Sequence, residues 1–583
     1  MRTVDDLEIS TAHFKPPKTS TTRSLWDRLE SRKWLIIMFT VALAFSARAY
    51  QLGAASLAED EANKVFALRA YERGDFTVNA EHPMVMKMLC YGATHAAIFW
   101  NHAIGDHVGL AISEEAALRL PNATIGALTV LPLFLLTTAW LGFRVGLITS
   151  LLWATGIDAV WFSRIVKEDS LLVFFMFSGF YLYHCAKQQP AADVRGQERL
   201  YALAGAAFGL MIASKYFVHY FTLTALYYTI VGYDSRNNRP LTGRMWGRYF
   251  GGMLLAFMAF NPAAFVPQTW RYLLKYVNED LLTHHGYVVM GKLFINDFLQ
   301  TPGGNPWYFY VLFLLVKLPL PMLLALGVGL VEIFRRRGEY PASRGYLFLR
   351  LMLVFWLLPM SLIGVKFLRY TLSLMPLLYM TAAIGIVVMG QWLLSLLKGM
   401  AINKRPAHVL AAVTIVAAFI VSPAVTMIRN LPYPGLYVNA LGRGRMGYYF
   451  PHDEFYDLGA RESIKFIAET APPGARMASE IPGVVEYYLE RYNRHDIRSE
   501  IMSQPSFTLD DRRPDFVLLQ SGRLYFENAE NSQFIERTFP VVQSSVYQGA
   551  TAAQVFFVGG QGPGARGQGQ DAAVSLRPPT PGP

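Results

Sequence analysis

Residues 84–104 read MVMKMLCYGATHAAIFWNHAI, and whether they cross a membrane or lie along its surface fixes the side on which every later segment falls. The stretch is apolar enough to span, yet it carries Lys87, His95, Asn101 and His102. On a helical wheel Val85, Met88, Leu89 and Ala96 share one side and Lys87 and Thr94 oppose them, the pattern of a helix lying in the interface. The wheel is only weakly two-sided, so the charges of the flanking loops decide.

Working outward, apolar runs occur near 34–50, 119–140, 145–163, 170–186, 200–214, 217–233, 249–267, 307–334, 346–365, 370–397 and 408–428. With 84–104 kept on the surface, these make about eleven spans of roughly the length that crosses ~30 Å of hydrocarbon. The loops on the amino-terminal side then receive Arg144; Lys187, Arg195 and Arg199; Arg236, Arg239, Arg244 and Arg248; Arg335, Arg336, Arg337 and Arg344; and Lys398, Lys404 and Arg405. One additional span would move all of these clusters outside, against the loop-charge bias of membrane proteins. The 84–104 segment is therefore placed on the outer surface, with residues 1–33 a cytoplasmic tail that lacks the apolar core and cleavage site of a removable signal peptide.

Composition agrees with a polytopic α-helical membrane protein. Of 583 residues 53% are hydrophobic and 16% charged, and the mean hydropathy is +0.26, values foreign to a soluble chain. The net charge of +11 comes from short basic clusters between apolar runs, not from a basic and aromatic groove, which argues against nucleic-acid binding. Cys90 and Cys185 fall on opposite sides of the membrane, so no disulfide joins them. Asp158, inside a span, should face the bundle or a cavity. Asn122-Ala-Thr124 matches a glycosylation sequon but also lies within a span, and is discounted.

After residue 429 the long apolar runs stop. Residues 430–560 read as a small extracytoplasmic α/β domain, with strands at Arg476–Glu480 and Asp515–Gln520 and helices at Ala460–Glu469 and Val484–Glu490. Residues 561–583, rich in glycine and proline, read as a disordered tail.

On this topology the unusual ionisable groups collect on the outer face. Glu59-Asp60-Glu61 opens the first outer loop, 51–118, followed by Glu81-His82-Pro83; a second outer loop covers 268–306 with His284 and His285. Three acids against the end of a span are electrostatically expensive and call for a solvated or catalytic role. Chemistry that moves a group from a lipid phosphate to a hydroxyl needs a base for the acceptor proton and cations for the departing phosphate at one membrane depth. Asp60 or Glu61 suits the first task; Arg164, Lys167, Lys215, Lys366 and Arg369 suit the second. Glu59 is expected to be solvated.

Asp60-Glu61 followed by Glu81-His82-Pro83 through Lys87 resembles the first outer loop of the protein O-mannosyltransferase family. Ser163-Arg164 through Asp169-Ser170, Ala213-Ser214-Lys215-Tyr216 and Arg119-Leu-Pro resemble further segments of that family in the same order. Met84 and Met86 depart from its first motif, and the outer loops lack a sugar-binding trefoil insert. The resemblance covers roughly 34–430 and implies a GT-C type glycosyltransferase domain at 34–429, near the protein O-mannosyltransferase and aminoarabinose transferase branches. It implies a polyprenyl-phosphate sugar donor, a hydroxyl acceptor on protein, lipid or glycan, and inverting direct displacement at the outer face of a bacterial inner membrane. It assigns Asp60 as base; the residues themselves suggest Glu61 as its tuning neighbour, and Arg164, Asp169, Lys215, Arg369, His82, Lys87, Arg119, His284 and His285 are the candidate donor-phosphate and substrate contacts. Aminoarabinose transferases bring a divalent metal into view, with Glu81 and His284 or His285 as ligands; adjacent histidines diverge on a helix, and no metal is assigned. A lipid-linked-sugar transporter or flippase is the competing reading. It would place charges at the midplane and give pseudo-symmetric halves, neither of which the sequence has.

Overall fold

The computed structural model describes residues 25–216, 241–275, 286–297, 300–335, 342–399, 405–509 and 514–559. The expected span at 217–233, the tail at 561–583 and both His284 and His285 lie outside the described residues.

The chain is mostly helical. Among the described residues five helices are long and apolar enough to cross a membrane: Glu114–Leu141, Asp169–Gln188, Ser343–Leu362, Met375–Leu397 and Val409–Asn430. It is an integral membrane protein. Two of the apolar runs are broken inside. The run at 307–334 forms helices Phe309–Lys317 and Leu320–Arg335, because Leu318 precedes Pro319 and takes an extended ψ of 139°, as the proline ring demands of its predecessor. The run at 145–163 forms Phe143–Thr155 and Ile157–Phe162, interrupted at Gly156. A Cβ at Gly156 would stand 2.0 Å from the Tyr379 hydroxyl, so only glycine permits that approach. Asp158, just past the break, lines a small cavity with Leu152, Leu318 and Tyr379.

Residues 84–100 form a single helix, Met84–Trp100, which buries Lys87 together with Val85. Lys87 is fully buried while Met88 and Leu89 are exposed. The lysine can face inward because its ammonium donates to the carbonyls of Asn79 (2.6 Å) and His82 (2.8 Å), which supplies the partners that a buried charge requires.

Beyond the last apolar helix the chain re-enters the structure. Lys317 pairs with Glu454 at 2.8 Å with both side chains buried, and also donates to the carbonyls of Gly435 and Tyr437. A short hairpin, β1 (Tyr287–Val289) and β2 (Lys292–Phe294), packs beside this segment. Five strands follow: β3 (Arg476–Ser479), β4 (Arg498–Ile501), β5 (Phe516–Gln520), β6 (Val541–Tyr547) and β7 (Ala550–Phe557). They form one mixed sheet in the order β4-β3-β5-β7-β6, with β3 parallel to β4 and β5, and β7 antiparallel to β5 and β6. Central β5, FVLLQ, is a nearly continuous apolar run, as a strand covered on both faces should be. Helices Ala460–Thr470, Pro482–Arg491 and Ala529–Thr538 flank the sheet.

The sheet unit shares its core with the 51–118 loop. Leu57, Ala62, Val65 and Leu68 pack in one cluster with Val166, Ile464, Val484, Tyr488 and Phe516. The helix carrying the acids, Glu59–Glu72, is thereby fixed from two sides.

Candidate functional site

The amino end of the Glu59–Glu72 helix is the hub. Ala58 has no side chain with which to cap it, so the exposed N–H groups find other acceptors: Leu57 donates to the Tyr488 hydroxyl (2.9 Å), Ala58 to Glu61 Oε2 (3.0 Å) and Glu59 to Asp457 Oδ2 (3.0 Å). Acids in this first turn also complement the helix dipole. The three carboxylates diverge from there.

Glu61 points into the protein and is fully buried. Arg119 holds it through two charge-assisted bonds of 2.9 and 2.5 Å, and the Val166 N–H donates to it at 2.9 Å. Arg119 extends the same junction to the carbonyls of Leu52, Ala55 and Ser56. The pair locks the start of the Glu59–Glu72 helix to the Glu114–Leu128 helix and to the corner at 163–169. Glu59 is ion-paired instead of solvated: Arg523 Nη1 lies 2.6 Å from it, because the sheet unit covers a surface that the sequence leaves apparently open.

Asp60 faces outward, with 30% of its side chain exposed. Its Oδ2 accepts Lys167 Nζ at 2.7 Å and the Tyr456 hydroxyl at 3.0 Å, with Arg369 Nη1 at 3.8 Å. No bond to Oδ1 is present among the described residues. Burial works against the charge on Asp60, but Lys167, then Arg369, Lys64 and His82, outweigh it and hold the carboxyl well below the usual range. One turn along the helix, Lys64 pairs with buried Glu168 at 3.0 Å, and His82 Nδ1 approaches the other oxygen of Glu168 at 3.5 Å. Burial, together with Lys167 and Lys64, keeps His82 neutral against the pull of Glu168.

Two elements present the cations. The corner between Phe162 and Asp169 carries Lys167 and Glu168, and Asn122 pins it by donating to the carbonyls of Ile165 and Lys167. Asn122 is fully buried, so the sequon there is a structural asparagine. Arg369 lies in the 3-10 turn Leu368–Ser373, anchored where the Leu368 N–H donates to Asp453 Oδ2 at 3.0 Å and the Tyr287 hydroxyl donates to the same oxygen. Its guanidinium stacks over Phe367 at 4.1 Å. Lys215 pairs with Asp169 at 2.6 Å and sits 4.8 Å from the Tyr370 ring centroid, adjoining the same cluster.

Of the residues expected to form the site, Asp60, His82, Asp169, Lys215 and Arg369 thus gather around one centre. Four expected phosphate ligands are directed elsewhere. Arg164 donates to the carbonyls of Ala47, Arg48, Tyr50 and Gln51, closing the carboxyl end of the Lys33–Ala49 helix, whose last carbonyls have no intrahelical donor. Arg119 is engaged by Glu61, and Lys87 by two backbone carbonyls. Lys366 likewise turns inward, toward Gln300 and the Asn305 carbonyl. Glu81 Oε1 accepts from Asn79 Nδ2 at 2.5 Å, and no group of three or more His, Cys, Asp or Glu is placed to hold a metal among the described residues. Lys64, Glu168, Tyr456, Asp457 and Arg523 were not anticipated. Glu168 stands inside the Ser163–Asp169 corner that the motif marks; the others had no local signal.

Residues 98–265 match the family described as dolichyl-phosphate-mannose-protein mannosyltransferase, and residues 294–433 match the Alg9-like mannosyltransferase family. No curated protein matches the chain. Solved structures similar to it include ArnT from Cupriavidus metallidurans, 13% identical over 91% of this chain and 98% of that one, with a TM-score of 0.48. The oligosaccharyltransferase of Archaeoglobus fulgidus is 13% identical over 85% and 70%, at 0.49, and the protein O-mannosyltransferase complex of S. cerevisiae 18% over 47% and 39%, at 0.33. Two mannosyltransferase matches in succession along one membrane chain define its class: it is a glycosyltransferase. Each match covers less than half of the chain, and both families are mannosyltransferases.

Proposed function

We propose that the protein transfers a sugar, mannose or another hexose or pentose, from a polyprenyl-phosphate donor to a hydroxyl on a protein, lipid or glycan acceptor, by inverting direct displacement. The observation that carries the reading is the division of Asp60, with Oδ2 held by Lys167, Arg369 and Tyr456 and Oδ1 open. In the reaction Asp60 takes the acceptor's hydroxyl proton as the acceptor oxygen bonds to the anomeric carbon. The bond from that carbon to the phosphate oxygen breaks, and the phosphate leaves with the electron pair, neutralised by Lys167 and Arg369. Lys215, beside Tyr370, extends the positive rim toward the donor headgroup. Polyprenyl phosphate is the ligand named for one solved structure of similar fold, ArnT of Cupriavidus metallidurans bound to undecaprenyl phosphate.

A carboxylate held this far below its usual range is a weak base while the cations attend to it. Donor phosphate entering between Lys167 and Arg369 competes for both, so donor binding itself raises the basicity of Asp60. The reaction faces the outer side of a bacterial inner membrane, with the amino terminus cytoplasmic, residues 34–429 forming the catalytic domain across about eleven spans and residues 430–560 an extracytoplasmic domain. The test is transfer from a panel of polyprenyl-phosphate sugars by membranes that carry the full chain. Wild type transfers one of them and Asp60→Asn does not; full activity in that variant removes Asp60 as base.

A further inference from the structure

Tyr456 and Asp457 are consecutive, carry side chains, and have positive φ angles of 47° and 60°. Non-glycine residues keep this conformation only where their surroundings over-determine it, and such places cluster at functional sites. Here the surroundings come from the sheet unit. Arg523, in the turn after β5, grips Asp457 with two bonds of 2.8 and 2.5 Å, and Gln520 of β5 adds a third at 3.3 Å. The Asp457 carbonyl accepts the Ser56 hydroxyl at 2.6 Å, and its carboxylate caps the Glu59 N–H. Arg523 also reaches Glu59. One turn of backbone is thereby latched to both the sheet and the acid-bearing helix, and from it the buried Tyr456 ring extends its hydroxyl to Asp60 Oδ2 at 3.0 Å.

We infer that Tyr456 is a positioning residue for Asp60, and that the sheet unit holds it in place through Arg523 and Asp457. The inference rests on the reading of Asp60 as base. A carboxylate gripped only by two flexible cations could rotate; a hydroxyl donated from a latched ring fixes which oxygen is occupied and keeps Oδ1 turned to the acceptor. The groups facing Asp60 are Lys64 and Glu59 from its own helix, His82 from the loop that follows, Lys167 from the 163–169 corner and Arg369 from the 3-10 turn. All of these are unchanged when Tyr456 loses only its hydroxyl, so Tyr456→Phe removes one hydrogen bond without altering a formal charge.

The experiment compares wild type, Tyr456→Phe, Asp457→Asn and Asp60→Asn in membranes, using the polyprenyl-phosphate sugar that wild type transfers, with kcat, donor KM and the acid limb of kcat/KM as readouts. Tyr456→Phe is expected to lower kcat about tenfold, the scale of one hydrogen bond to a charged group. It should leave donor KM within about twofold and move the acid limb to higher pH, since the donor that favoured the carboxylate is gone. Asp457→Asn, which loosens the latch, shifts both readouts in the same direction by less. A fall in kcat with an unmoved acid limb assigns Tyr456 a merely structural role and overturns the inference, as does an unchanged kcat. Asp60→Asn separates the two levels: if it is inactive while Tyr456→Phe matches wild type, only the positioning role fails, whereas full activity in Asp60→Asn removes the base and the inference with it.

Discussion

Asp60 and Glu61 are neighbours in sequence and occupy the same helical turn, yet they work in opposite environments. Glu61 is sealed in protein, bound by an arginine fork and two backbone N–H groups; Asp60 keeps one oxygen exposed beside two cations. The difference follows from the rotation of about 100° per residue along a helix, which turns one acid into the seam with the Glu114–Leu128 helix and the 163–169 corner and the other toward the open side. A run of acids at a membrane surface is therefore two devices, one that builds the loop and one that is available for chemistry.

Breaking the dry half should cost stability. Glu61→Gln leaves Arg119 buried without its counter-charge, and removing one partner of a buried pair costs about 3–5 kcal/mol. Thermal unfolding of the purified protein in detergent should register this as a large fall in Tm, with Arg119→Ala falling similarly. Breaking the open half should cost donor affinity. Arg369→Lys keeps the charge but loses the planar fork and its stacking on Phe367, and should raise donor KM roughly tenfold with Tm almost unchanged.

The pH dependence sharpens the contrast. In its proposed role Asp60 must be ionised to accept a proton, and its carboxyl is held well below the usual range, so activity should be retained as pH falls and lost only on passing below the ordinary carboxylate region. In the proposed reaction donor phosphate relaxes the hold of Lys167 and Arg369, so the acid limb of kcat, which reports the donor complex, should lie at higher pH than that of kcat/KM, which reports the free enzyme. Coincident limbs would show that the cations are not shared. The smallest effect is expected on a third face of the same helix. Arg69 and Glu490 form an exposed pair at 2.6 Å between the helix and the sheet unit, and Arg69→Ala should change stability by less than about 1 kcal/mol.

Much of this arrangement was legible in the chain before folding, but unevenly. Asp60, Lys215 and Arg369 stand out because charged residues at the ends of apolar runs are rare and need a reason. Arg164 and Lys87 stand out for the same cause, yet they answer a different need. Cations near a helix end satisfy orphan carbonyls as readily as phosphates, and sequence does not distinguish the two uses. The helix at 84–100 was legible as an element, but the burial of Lys87 was not, since an inward lysine depends on carbonyls supplied by Asn79 and His82. Tyr456, separated from Asp60 by 396 positions, could not be found from any local pattern; it reaches Asp60 only because the sheet unit folds back onto the 51–118 loop. The breaks at Gly156 and Pro319 were visible as residues, and their effect on the two apolar runs follows from backbone geometry alone.

The division between the two acids is tested most directly by measuring sugar transfer per mole of folded protein for Asp60→Asn and Glu61→Gln side by side. The proposed roles predict that Asp60→Asn folds with a Tm near wild type and loses about 10²–10⁴-fold in rate, while the Glu61→Gln molecules that remain folded transfer at close to the normal rate. Wild-type transfer by folded Asp60→Asn, or abolished transfer by folded Glu61→Gln, would contradict them.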